Sequence, residues 1–148
     1  MKRFLLIALI IVSLIVSSVA SLAAGSSSLY GKYLTVADVE KVTGLKGVTR
    51  KEVALTLEFY NAKNEKIIEA RFYGPDFYKE EVDENKKYYT PISGIGEKAA
   101  YTLGDTPYRL TFAKGKFSVM VQTPFQSAKD PKNKDFLITI CKIIAGRL

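Results

Sequence analysis

Asp76, Glu80, Glu81, Asp83 and Glu84 form the acidic cluster of the sequence, and carboxylates are the first groups to ask about chemistry. Paired carboxylates act as acid and base in glycoside hydrolysis, and clustered ones bind calcium. Their spacing matches no calcium loop, and Lys79 interrupts them, so the pattern reads most simply as a solvated face. The aromatics around them carry more information. Phe72, Tyr73, Phe77, Tyr78, Tyr88, Tyr89 and Tyr101 bracket the middle of the chain. Tyrosine suits a surface with an apolar body and a wet tip, as at interfaces and sugar-binding sites. Two readings follow: a ligand or partner site at Tyr73, Phe77, Tyr78, Tyr88, Tyr89 and Tyr101, or a set of rings capping an open end of a sheet.

Other chemistries lack their residues. Histidine is absent from all 148 positions, which removes the commonest general base and metal ligand. Gly-x-Ser-x-Gly and Ser-x-x-Lys arrangements do not occur, and Ser93, Ser118 and Ser127 stand in ordinary contexts. Gly94-Ile95-Gly96 lacks the third glycine of a dinucleotide fingerprint and the Gly-Lys-Ser/Thr ending of a nucleotide loop. It reads as a place where the backbone turns sharply or another element comes close. The expectation is a protein with no catalytic residues, cofactor or metal. Cys141 is the single cysteine, so no internal disulfide can form. On an apolar helical stripe it reads as a small buried hydrophobe.

The strongest signal lies at the start. Lys2 and Arg3 precede an apolar run from Phe4 to Val16, and Ser18 and Ala20 supply the small-residue pattern of a cleavage site. Residues 1–20 are expected to be a signal peptide. The alternative is an uncleaved anchor, because residues 4–24 are long enough to cross a bilayer. Either way the rest of the chain lies outside the cytoplasm, secreted or tethered. Lys and Arg number 22 against 15 Asp and Glu, and the leader holds only Lys2 and Arg3. The remaining mild positive excess is scattered. Scatter and export both argue against nucleic acid, which wants basic charge on one face. Weak attraction to an anionic lipid surface or wall polymer stays open.

The elements that must position these groups follow from periodicity. Residues 21–28 form a Ser- and Gly-rich linker, and a single domain spans 29–148. Thr35 and Asp38 cap a short helix over 36–43, with Val36, Val39 and Val42 on one face and Gly44 as its stop. Residues 52–60 alternate, with Val53, Leu55, Leu57 and Phe59 facing the core as one strand. A polar turn at 61–65 leads to a second strand, 66–73, with Ile68, Ala70 and Phe72 inward. Residues 76–84 offer one or two helical turns, and the run to Pro91 is irregular. After the glycine pair, 98–103 is a short strand, and strands near 108–112 and 117–121 make a hairpin. Asp130-Pro131 opens a final helix whose apolar stripe includes Phe136, Leu137, Ile140, Cys141, Ile144 and Leu148.

Three stretches, with a Lys-Gly-Lys hairpin and a terminal helix, carry a resemblance: Leu34-Thr35-Val36-Ala37-Asp38-Val39, Val42-Thr43-Gly44, and Ile92-Ser93-Gly94-Ile95-Gly96-Glu97-Lys98-Ala99. The chain resembles small exported bacterial proteins of unknown function whose fold is similar to the PsbP and Mog1 group. It departs from their lipoprotein members in lacking an acylated cysteine. The resemblance implies an antiparallel sheet packed by helices, no shared catalytic residues, and a non-catalytic accessory role in the cell envelope. The expected fold class is therefore α+β: about five antiparallel strands packed by a short N-terminal and a longer C-terminal helix. The expected function is an exported binding or accessory module that meets an envelope protein, glycan or small ligand through residues 72–101. A small glycan-acting enzyme using the carboxylates of 76–84, and a membrane-surface or lipid-binding protein, are the two alternatives.

Overall fold

The computed structural model describes residues 28–102, 108–123 and 132–148. The expected leader, the linker up to residue 27, the turn at 104–107 and the Asp130-Pro131 cap lie outside the described residues.

Helix α1, Val36–Thr43, forms over the span its caps predict. The Asp38 amide donates to Thr35 Oγ1 at 3.2 Å, and the Thr35 amide donates to Asp38 Oδ2 at 2.9 Å. This reciprocal pair satisfies donors that an α-helix start leaves open. Gly44, with φ 73°, ends the helix in the left-handed conformation.

Seven strands follow, all pairing antiparallel in one sheet: β1 Thr49–Val53, β2 Thr56–Tyr60, β3 Lys66–Tyr73, β4 Tyr89–Ile92, β5 Lys98–Thr102, β6 Arg109–Lys114 and β7 Phe117–Gln122. Their order across the sheet is β1-β2-β3-β7-β6-β5-β4. Helix α2, Lys132–Arg147, closes the chain. The architecture is the expected α+β with an antiparallel sheet, a short helix and a C-terminal helix.

Two strands exceed the five that periodicity counts. The single strand expected over 52–60 is two strands, because the chain reverses at Ala54-Leu55 and Val53 pairs with Thr56. Ala54 takes φ 51°, the left-handed region a tight hairpin requires. Val53 and Leu55, expected in the core, are therefore 60 % and 48 % exposed. The other added strand is β4, in the stretch read as irregular. It lies at the sheet edge, where Pro91 can be accommodated without breaking an interior ladder.

Alternation then decides the faces. Leu57, Phe59, Ile68, Ala70, Phe72, Leu110, Phe112, Val119 and Val121 share one face and are buried against Val39 of α1 and Leu137, Ile140, Cys141 and Ile144 of α2. Burial pushes the Cys141 thiol well above its usual range, as expected for a packing residue. The two helices are tied end to end: Arg147 Nη1 and Nη2 donate to the Asp38 carboxylate at 2.6 and 2.8 Å. That pair and Thr35 hold the Asp38 carboxyl well below the usual carboxylate range.

The glycine pair is a close-approach device. Gly94 and Gly96 take φ 81° and 57°, and a Cβ on Gly96 would stand 2.4 Å from the Ala113 carbonyl oxygen. The Glu97 amide donates to that same oxygen at 2.8 Å, and the Gly115 amide donates to Glu97 Oε1 at 2.9 Å. The segment thus clamps the β6–β7 turn.

The middle segment becomes a π-helical turn, Lys79–Asp83, and a 3-10 turn, Lys86–Tyr88. Tyr78 and Val82, four residues apart, are buried with Ala100 in a second, smaller apolar cluster. The Tyr78 amide donates to Ser118 Oγ, and Ser118 Oγ donates to the Pro75 carbonyl, both at 3.2 Å. The segment therefore lies on the sheet face opposite the helices, over β5, β6 and β7. Among the described residues no helix is long and apolar enough to cross a membrane.

Candidate functional site

The residues that alternate with the core set line this second face. Their register produces one cross-strand row: Lys51 opposite Glu58, Glu58 opposite Glu69, Glu69 opposite Gln122, and Gln122 opposite Arg109. Residues facing each other across antiparallel strands have Cβ atoms about 5 Å apart, so charge pairs form across the row.

Glu69 is its centre. It is only 4 % exposed, on a face without helix cover. Lys66 Nζ donates to Glu69 Oε2 at 2.7 Å and to Glu58 Oε1 at 2.8 Å, bridging the two acids. Gln122 Nε2 donates to Glu69 Oε1 at 3.1 Å, and Arg71 Nε donates to the same oxygen. The Tyr60 hydroxyl donates to Glu58 Oε2 at 2.8 Å. Lys66 and then Tyr60 hold the Glu58 carboxyl below its usual range, and the same two acids raise the Lys66 pKa. Hydrogen bonds that Arg71 donates to Tyr73 and Glu69 raise its pKa.

Beside this network an open cleft of about 380 Å³ is lined by Val53, Leu55, Glu58, Glu69, Arg71 and Tyr73 among others. Its rim is apolar at the β1–β2 turn and aromatic at Tyr73, whose ring stacks on Phe77 with centroids 3.7 Å apart and planes 9° apart. Its floor is charged, and each charge is already met by a neighbour. Such a floor offers fixed hydrogen-bonding groups at low reorganisation cost, and a rim of this kind offers contact area.

The six aromatic positions expected to form a site are distributed over four places. Tyr73 and Phe77 stack at the cleft. Tyr78 is interior to the second apolar cluster, with its pKa raised by burial, and Tyr89 packs against that cluster. The Tyr89 hydroxyl donates to Glu81 Oε1, to which Arg109 Nη1 also donates at 2.8 Å; burial and then Glu81 raise the Tyr89 pKa to about 12. Tyr88 is 58 % exposed with the Lys87 ammonium 4.7 Å from its ring centre. Tyr101 lies on the opposite face, packed against the main core, where Lys134 Nζ donates to its hydroxyl at 3.2 Å. The rings therefore separate into a pair at the cleft and a pair under the middle segment, with Tyr88 and Tyr101 apart from both.

The acidic cluster does not converge. Asp76, Glu80 and Glu84 are exposed, Glu81 is engaged by Arg109 and Tyr89, and Asp83 lies 3.6 Å from Lys98 Nζ. Among the described residues no group of three or more acidic or cysteine side chains is arranged to hold a metal ion.

Glu58, Glu69, Arg71, Lys66 and Gln122 were absent from the sequence reading. The signal was present, because Glu58 sits between Leu57 and Phe59, and Glu69 and Arg71 flank Ala70. The alternation that names the core names these residues as its reverse. No family model matches the chain, and no curated protein and no solved structure matches it either.

Proposed function

We propose that this protein is a non-catalytic exported binding or accessory module of the cell envelope, receiving its ligand in the cleft between β1, β2 and β3. The observation that carries the reading is the cleft itself: an uncovered stretch of the sheet face that the middle segment covers elsewhere, with an apolar and aromatic rim over a charged floor. Such a surface suits an envelope glycan or a peptide with an apolar flank and hydrogen-bonding groups along the other side. Tyr73 supplies the ring against which a sugar face or aliphatic chain packs; Arg71 and Glu58 supply the polar contacts. The leader, with its charged start and apolar run, supports export. The kinship to the PsbP and Mog1 group belongs to the same proposal, supported by the capped short helix, the antiparallel sheet and the terminal helix.

Calorimetric titration with soluble cell-wall fragments carrying both glycan and peptide tests the reading. Binding that weakens about tenfold or more in Tyr73→Ala, with melting temperature preserved, is the expected result. No heat at millimolar fragment, or binding indifferent to Tyr73→Ala and Arg71→Ala together, overturns it.

A further inference from the structure

We propose that Arg71 is the specificity residue of the cleft, and that it reads the terminal carboxylate of a peptide whose aliphatic side chain lies against Val53 and Leu55. The inference rests on the cleft being a binding site and names the class of ligand it takes. Arg71 is the cation there with donors left over. Lys66 is taken up by Glu58 and Glu69 at 2.8 and 2.7 Å, and Lys51 Nζ sits 4.7 Å from the centre of the Tyr60 ring. Arg71 gives its Nε–H to Glu69 and a further bond to Tyr73, yet its side chain is still 42 % exposed beside the cleft. The rest of its planar N–H fork remains for a ligand, and such a fork matches a carboxylate with two parallel hydrogen bonds.

Charge and register narrow the class. Lys51, Lys66 and Arg71 stand against Glu58 and Glu69, so the floor lacks one negative charge. A single carboxylate supplies it, whereas a doubly charged phosphate would set its second charge beside two acids. Val53 pairs with Thr56 and Thr56 with Arg71, which puts all three in one cross-strand row on the cleft face. Strands lie about 4.8 Å apart, so the Val53 and Arg71 backbones stand about 10 Å apart, the reach of roughly three extended peptide residues. An aliphatic residue third from the end thus lies at Val53 while the carboxylate lies at Arg71. Between them Thr56 lines the cleft with its hydroxyl, and Glu58 follows on the same face of β2. Each Glu58 oxygen carries one hydrogen bond, from Lys66 or Tyr60, and can accept another from a peptide N–H. The Tyr73 ring, on the same face of β3 as Arg71, flanks the carboxylate end. A glycan carboxylate would meet Arg71 equally, but it brings no aliphatic chain to the exposed Val53 and Leu55.

The test is calorimetric titration of the full chain with acetyl-Leu-Ala-Ala, once as the free acid and once as its C-terminal amide. The free acid is expected to bind about tenfold more tightly, as the loss of a charged hydrogen-bonding partner requires. Arg71→Gln should bring acid and amide to the same affinity, while Val53→Ser should weaken both and keep their ratio. The comparison of acid with amide needs no variant, so a folding defect in Arg71→Gln does not blunt it. Equal affinity of acid and amide overturns the inference. So does a peptide-free glycan acid that binds through Arg71 while the peptide does not bind. Failure of both peptides at millimolar concentration, with wall fragments still binding in a Tyr73-dependent way, overturns it too but leaves the cleft as a site. Absence of binding by peptides and wall fragments alike overturns the reading on which it rests.

Discussion

The two faces of the sheet come from the same strands, residue by alternate residue, and meet different fates. One face is apolar from β2 to β5 and both helices close over it. The other carries a smaller apolar cluster where Tyr78 and Val82 meet Ala100, and there the middle segment covers it. Over β1, β2 and β3 it carries Glu58, Glu69 and Arg71, and nothing among the described residues lies on it. Cover follows apolar area, because burying a charged row without partners costs far more than leaving it near water. The lesson is that the site is what packing leaves over, and it stays ordered because its charges satisfy one another.

Neighbouring residues on β3 put the contrast to the hardest test. Phe72→Ala on the packed face should cost about 3–5 kcal/mol, while Tyr73→Ala, one residue on, should cost roughly 1 kcal/mol or less and act mainly on binding. Urea unfolding of both variants checks this; equal losses would erase the distinction between the faces. Gly96→Ala comes next, at about 2 kcal/mol, since the new Cβ meets a carbonyl oxygen at a backbone angle L-residues avoid. A smaller effect, roughly 1–2 kcal/mol, is expected for Glu69→Ala; Lys66 and Arg71 lose a partner, but both reach solvent, which discounts the loss. Smallest is Asp38→Asn, at about 1 kcal/mol, on the helix side. Its carboxyl is depressed in the folded state, so its contribution is complete above the usual value of 3.8 and lost as pH falls below it. Asp38→Asn should accordingly destabilise at pH 6 and have no effect near pH 1, as read by thermal melts across pH.

Much of this arrangement was legible in the chain because local chemistry and tertiary packing agree. Thr35, Asp38 and Gly44 bound α1 by themselves, and alternation located β3, β5, β6 and β7. The failures share a cause. Ala54-Leu55 turns with none of the usual turn residues, so Val53 and Leu55 continued an apolar pattern that the chain itself breaks. Tyr89–Ile92 is four residues long with a proline, which no period can mark. The aromatics between 72 and 101 looked like one set; parity sends Tyr101 to the helix side and Tyr73 to the cleft, and the cleft's charged residues hid in the polar half of strands read for their apolar half.

The central claim is that the uncovered part of the second face receives a ligand. Amide chemical-shift mapping during titration with soluble cell-wall glycan–peptide fragments tests it most directly. The account predicts perturbations confined to Val53, Thr56, Glu58, Arg71, Tyr73 and Phe77, with Leu110, Ile140 and Ile144 unmoved. Perturbations centred on α1 and α2, or none at millimolar fragment, would contradict it.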